Sequence, residues 1–319
     1  MKRLLFIGLM AVCGQVMAQK DTAFIEKPDS MVTKTGTIYG TLCTPIKFTK
    51  IPVVLIIAGS GPTDRDGNNP MGMKTDAYKI IAHRLSSNGI ASVRYDKRAI
   101  AASAAAGPKE ADLNFNMYID DAKGWVELLK ADKRFSKVIV IGHSEGSLIG
   151  MNASDKDVSK FISISGAGMS AGKILKAQIA ESPTTGLSQG LKDTAYMGID
   201  SLEAGKRFTN YPQALAMFFR PSVQPYLISW FIHDPQVDIK KLDIPVLILQ
   251  GTSDLQVDTN SAENLKKAYP KAKLVLIKGM NHVLRDVGTD KTANMLSYSD
   301  PTKPMDEELL KEIVDFIKK

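Results

Sequence analysis

Cysteine is nearly absent from this chain of 319 residues, which holds only Cys13 and Cys43. Residues 1–18 read as a targeting leader, with Lys2 and Arg3 ahead of an apolar stretch over 4–12 and Ala18 at the expected cleavage point. Cleavage there removes Cys13 and leaves Cys43 alone. That excludes an intramolecular disulfide and makes a packed core the source of stability. The leader implies a periplasmic or secreted destination. A lipoprotein anchored through Cys13 is the minority alternative, since Val12 precedes it where Gly, Ala or Ser is usual.

Long hydrophobic runs are missing too: the stretch over 4–12 is too short for a stable membrane span. The formal charge of +7 falls to +5 once Lys2 and Arg3 are gone, and the remaining excess is spread without dense basic clusters. Nucleic acid is therefore not an expected partner. Internal repeats and low-complexity tracts are absent. A chain of about 300 residues suits one large α/β domain with an insertion.

Short apolar, β-branched runs occupy residues 53–58, 91–95, 138–141, 161–165, 246–250 and 274–277. Continuous rather than alternating hydrophobicity implies burial on both faces, hence a mainly parallel sheet flanked by helices. Helical spacing appears over 78–85, 119–129, 261–268 and 307–317, the last with Leu309, Leu310, Ile313, Val314 and Ile317 on one face. Residues 35–42, punctuated by Gly36 and Gly40, predict an antiparallel hairpin that closes one side of the sheet. Between Gly166 and Leu242 no core strand is evident. A structureless loop of that length is improbable, so residues 167–241 predict a helical cap inserted into a core of 19–166 and 242–319. Among its apolar residues, Phe218 and Trp230 are candidates for lining an acyl pocket.

Gly142-His143-Ser144-Glu145-Gly146 stands directly between a strand pattern and a helical one. Gly-x-Ser-x-Gly arises by chance in roughly one chain in ten of this length, so the string alone decides little. Its strand–turn–helix setting is that of a nucleophile elbow, which makes Ser144 the candidate nucleophile. Serine needs a base oriented by an acid. Of four histidines, His83 precedes the elbow in a helical pattern, His143 lies within it and His233 comes before the best acid. His282 follows a strand and fits the chain order Ser, Asp, His. Asp254 is the candidate acid, on the loop after 246–250, with Asp258 in reserve.

The oxyanion needs two donors. One is the backbone N–H of Glu145. The other is expected from Gly59-Ser60-Gly61-Pro62, with Ser60 preferred over Gly61, and with Gly59 and Gly61 allowing close approach to substrate. Asp64-Arg65-Asp66-Gly67-Asn68 opens like a calcium loop but has Asn69 and Thr75 where Gly and Glu belong. It reads as a rigid turn, and Arg94-Tyr95-Asp96-Lys97-Arg98 as a turn of structural ion pairs. No metal is expected.

These segments, together with Gly251-Thr252-Ser253-Asp254-Leu255-Gln256-Val257 and Asn281-His282, resemble the bacterial α/β-hydrolase superfamily. Within it the chain looks like the serine esterases near dienelactone hydrolases and acyl-peptidase-like enzymes. The resemblance spans most of the chain outside the cap. It implies a carboxylic ester hydrolase with a lid; the chemistry of a serine, histidine and acid implies an acyl-enzyme and calls for no cofactor. Dienelactone hydrolases proper use a cysteine nucleophile, so that activity is not implied. Arg98-Ala99-Ile100-Ala101 departs from the glycine-rich turn usual in relatives. The expected partner is a small-molecule ester, of short or medium acyl length, with an acetylated carbohydrate as one option. The rival readings are a serine peptidase or amidase, and a noncatalytic binding protein on the same fold.

Overall fold

The computed structural model describes residues 24–181 and 187–319; the leader, its cleavage point and Cys13 lie outside the described residues. The chain opens with β1 (Phe24–Thr33), β2 (Gly36–Pro45) and β3 (Ile51–Ile57), then α1 (Ala77–Ser86) and β4 (Ala91–Tyr95). Helix α2 (Phe115–Ala131), β5 (Phe135–His143), α3 (Glu145–Ala153) and β6 (Val158–Ile164) follow. Five helices come next: α4 (Ala171–Glu181), α5 (Gln189–Glu203), α6 (Ala216–Phe219), α7 (Gln224–Phe231) and α8 (Pro235–Asp238). The chain then closes through β7 (Val246–Gly251), α9 (Thr259–Ala268), β8 (Lys273–Ile277), α10 (Lys291–Leu296) and α11 (Glu307–Lys318).

The eight strands form one sheet in the order β1-β2-β4-β3-β5-β6-β7-β8. Pairings from β4 to β8 are parallel, and those of β1 with β2 and β2 with β4 antiparallel. Alternate residues of β3 feed two cores. Val53, Leu55 and Ile57 pack with residues of α2, α3 and α9, while Val54 and Ile56 pack with α1 and α11. All five of the expected apolar positions of α11 are buried.

Both edges differ from the sequence reading. The hairpin turns at Lys34-Thr35, and its first strand, β1, was not evident. Its run Glu26-Lys27-Pro28-Asp29 is mostly exposed, and charge with proline is what a solvent-facing edge strand carries. At the other edge, β8 is apolar in sequence yet only Ile277 is buried, because β7 is its single neighbour.

The segment between β6 and β7 holds only helices among the described residues, and has its own cluster around Ile179, Ile199, Leu202, Leu215 and Phe219. It meets the sheet layer through α7, where Trp230 stacks on Phe115 at 5.9 Å and Ser229 Oγ accepts the Phe115 N–H at 2.8 Å. No helix among the described residues is long and apolar enough to cross a membrane.

The turn after β4 keeps a glycine-like shape without glycine. Ala99 and Ala101 have φ of 68° and 43°, in the left-handed region. The turn is tied by Ile100 N–H to Lys97 O at 3.0 Å, and by the buried Arg98, whose Nε–H donates to Asp121 at 2.8 Å. A side chain at such φ costs about 1–2 kcal/mol, partly offset by the extra freedom glycine has when unfolded. Ala99→Gly is therefore expected to stabilise the protein by about 0.5–1 kcal/mol, read as a higher urea midpoint at unchanged m-value.

Candidate active site

Ser144 sits between β5 and α3 with φ 54° and ψ −122°, a conformation that costs about 1–3 kcal/mol in a non-glycine residue. Its N–H donates to Ile164 O at 2.9 Å and its carbonyl accepts from Ser147 N–H at 2.9 Å. The flanking glycines are required sterically. A Cβ on Gly142 would collide with the carbonyl oxygen of Gly146, and one on Gly146 with that of Ile57. The strand end, the helix start and β3 thus meet backbone to backbone.

Two loops from neighbouring strand ends bring up the partners. After β7, the Asp254 carboxylate accepts Gln256 N–H at 2.8 Å and Val257 N–H at 2.9 Å through Oδ1. Its Oδ2 accepts Nδ1–H of His282 at 2.8 Å. After β8, Asn281 pins the histidine loop, donating to Asn294 Oδ1 and Ser297 Oγ and accepting Arg285 N–H. The Asp254 carboxylate is sealed from solvent. Burial opposes its charge, but the hydrogen bond and charge of His282 and the two N–H groups outweigh it, holding the carboxyl below its usual range. With Nδ1 committed to Asp254, Nε2 of a neutral His282 is a proton acceptor.

Ser144 and His282 line one cavity of about 470 Å³ with Gly59, Ser60, Gly61 and Tyr298. Asp258, the reserve acid, is instead the N-cap of α9, accepting Ser261 N–H at 3.0 Å. His83 pairs with Glu26 at 2.9 Å and His233 with Asn116 at 2.9 Å, each away from Ser144. No hydrogen bond from the Ser60 N–H is found among the described residues, and the Glu145 N–H is the first of α3, where a helix offers its N–H no internal acceptor. At the turn of Asp64 the carboxylate bonds to the backbone, Oδ1 accepting three N–H groups, from Asp66, Gly67 and Asn68, each at 2.9 Å. Glu26, Cys43 and His83 bring donor atoms within 4.8 Å of one another. However, Arg94 bonds Glu26 at 2.8 Å, so positive charge already sits where a cation would go.

Phe218 and Trp230 require a correction. They line a different cavity, of about 570 Å³, with Leu175, Ile179, Leu215 and Leu227 and without Ser144 or His282. The helices between β6 and β7 turn apolar faces toward one another, with Trp230 packed against their cluster and Phe218 left 40% exposed at the cavity.

His143 and Tyr78 were not anticipated as partners. The carbonyl of His282 can only accept, so the 2.9 Å contact fixes the proton of His143 on Nε2. Nδ1 then accepts from Tyr78 O–H at 2.8 Å, and the phenol oxygen accepts Gly59 N–H at 3.0 Å. The chain of bonds joins the glycine loop to the histidine loop under the elbow. A histidine following Val138 to Ile141 signals a buried polar group in need of partners, but their identity is set by residues 65 and 139 positions away. Burial, with His282 adding to it, pushes the His143 imidazole down to about 3.

Comparisons with known proteins bear on the fold. The Hydrolase_4 family model, described as serine aminopeptidase, S33, matches residues 70–191, which include Ser144 but neither Asp254 nor His282. Esterase EstD of Thermotoga maritima is 27% identical over 240 residues, covering 73% of this chain and 54% of that protein. The chain thus spans about half the length of this relative. The solved structure of the α/β hydrolase GrgF from a Penicillium species superposes with a TM-score of 0.60 at 18% identity, over 92% of this chain and 98% of that one. The chain has the α/β-hydrolase fold. Esterase Pf2001 of Pyrococcus furiosus shares it, with a TM-score of 0.56 at 18% identity, over 98% of this chain and 94% of that one. Ser144, Asp254 and His282 follow the C-terminal ends of three strands of this one sheet, β5, β7 and β8.

The depressed His143 has a stability consequence. Between about pH 6.5 and pH 3 the unfolded chain binds a proton that the folded one refuses, so stability is full above that window and falls as pH drops through it. Asp254 adds a loss of the same sign below its ordinary range. Urea unfolding between about pH 4 and 6 should show stability falling by up to about 1.4 kcal/mol per pH unit from His143, a component absent in His143→Gln.

Proposed function

We propose that this protein is a serine ester hydrolase working through Ser144, His282 and Asp254. The observation that carries the reading is the Nδ1–H bond from His282 to the buried Asp254, made beside a serine held at positive φ in the same cavity. In this mechanism His282 Nε2 takes the Ser144 hydroxyl proton as Oγ attacks the ester carbonyl. Asp254 stabilises the resulting imidazolium and keeps the ring in register. The Ser60 and Glu145 N–H groups receive the oxyanion. His282 then protonates the leaving alcohol, and a water activated by the same nitrogen releases the acyl group and frees Ser144. No step requires a cofactor.

The 470 Å³ cavity, with Met71, Met73, Val283 and Leu284 among its walls, favours short or medium acyl esters. An acetylated carbohydrate fits this reading as a natural substrate. The helices between β6 and β7 would act as a cap; their nearest link to the elbow is the Tyr226 O–H donating to Glu145 at 3.2 Å. Residues 1–18 would direct the protein to the periplasm or beyond. The esterase relative supports ester chemistry, while the description of the matching family as an aminopeptidase favours a second reading, amide hydrolysis by the same triad.

Hydrolysis of 4-nitrophenyl acetate, butyrate, octanoate and laurate, beside alanine 4-nitroanilide, tests the proposal. Rates are expected to peak at acetate or butyrate, to exceed that on the anilide, and to fall by at least about 10³-fold in a folded Ser144→Ala. Preferential anilide cleavage would transfer the function to the peptidase reading. Equal residual rates in both proteins would remove Ser144 from the mechanism. N-terminal sequencing of protein from the periplasmic fraction should begin at Gln19, and an intact Met1 there would refute the leader.

A further inference from the structure

Lys97 is almost wholly buried at the start of the turn that follows β4, and its ammonium has two partners. It donates to the carbonyl of Gly59 at 2.6 Å and to the Glu145 carboxylate at 2.9 Å, and it lies 5.2 Å over the ring of Tyr118. The Gly59 carbonyl and the Ser60 N–H are opposite ends of one planar trans peptide, so an ammonium that holds the oxygen sets the direction of the hydrogen. The cation also polarises that peptide, which makes its N–H a stronger donor. The second partner, Glu145, carries on its own backbone the first N–H of α3. One cation therefore ties down both residues whose amides face the developing charge. Gly59 is held from its other side as well, through its N–H to Tyr78.

Stability is a weak reason to keep such a pair. Desolvating two charges costs several kcal/mol each, and apolar replacements of buried pairs are often neutral or better. We propose that Lys97 is the positioning residue of the oxyanion hole: by fixing the Gly59–Ser60 peptide and the Glu145 side chain, it makes the two N–H groups converge on one point. This rests on the serine-hydrolase reading above. Lys97 touches no substrate in this scheme. It acts only through the two amides, in the transition state more than in the bound ester, so its loss should appear in kcat and leave KM nearly unchanged.

Lys97→Met alone strands the Glu145 charge, so the decisive variant is Lys97→Met with Glu145→Gln, which removes both charges at similar volume. In the folded double variant, shown by a cooperative melt, kcat on 4-nitrophenyl butyrate is expected to fall about 10²-fold, as for loss of one oxyanion donor, with KM within about threefold. Inhibition by n-butylboronic acid, which forms a tetrahedral adduct on serine, should weaken in step with kcat. A kcat within about twofold of the parent overturns the proposal, as does a fall in kcat with unchanged boronate affinity. If the parent protein neither hydrolyses the ester nor binds the boronate, the serine-hydrolase reading itself fails before any substitution is made, and the role of Lys97 falls with it.

Discussion

Everything at the site depends on how closely three pieces of backbone approach one another at Ser144. Gly142 at the end of β5 lies against the carbonyl of Gly146 in the first turn of α3, and Gly146 lies against the carbonyl of Ile57 at the end of β3. No side chain fits in either gap. The approach turns the chain sharply enough to hold Ser144 at positive φ, and surrounding structure must hold it there against the strain. That support comes from β5 being an inner strand, hydrogen-bonded to β3 and β6, and from the Ser144 N–H bond to Ile164. A nucleophile on an edge strand would lack one of those neighbours.

Around this fixed point the loops are held by polar groups that the core sheet cannot supply. The end of β4 and the turn after it contribute Arg94, Asp96, Lys97 and Arg98, all buried and each paired with a residue of another segment. Arg94 reaches Asp66, Asp96 reaches Arg65, Lys97 reaches Glu145 and Arg98 reaches Asp121. Such pairs contribute little net stability once desolvation is counted, but breaking one leaves an uncompensated charge, so each admits few alternative loop positions. His143 solves the same problem without charge. Its two nitrogens are matched to one donor and one acceptor, and the neutral ring links the Gly59 loop to the carbonyl of His282.

Periodicity and local motif made much of this legible beforehand. The inner strands, the apolar face of α11, the elbow, and the order of Ser144, Asp254 and His282 could be read because each rests on neighbours within a few residues or on chain order. The misreadings share one cause. The strand β1 is polar because only one face and one edge are paired, and β8 is apolar yet half exposed, so position in the sheet overrode composition. Phe218 and Trp230 looked like pocket residues because apolar rings in an insertion have two possible destinations, and composition does not distinguish them. Trp230 takes the rival destination, packing among the helices between β6 and β7 and against Phe115, while Phe218 lines their separate cavity and stays 40% exposed.

The sequence by itself determined the fold class, the nucleophile candidate and the pool of histidines and acids from which its partners could come. It did so because strand burial, elbow geometry and chain topology are written in short-range patterns. Only the tertiary structure decided that His143 is a neutral bridge, that Lys97 serves Gly59 and Glu145 together, and that the insertion encloses a cavity apart from Ser144. Those outcomes depend on which atoms meet across 38, 48, 65 or 139 residues of chain. Hydrogen bonds over such separations are chosen by the packing of whole strands and helices, and no local periodicity encodes them.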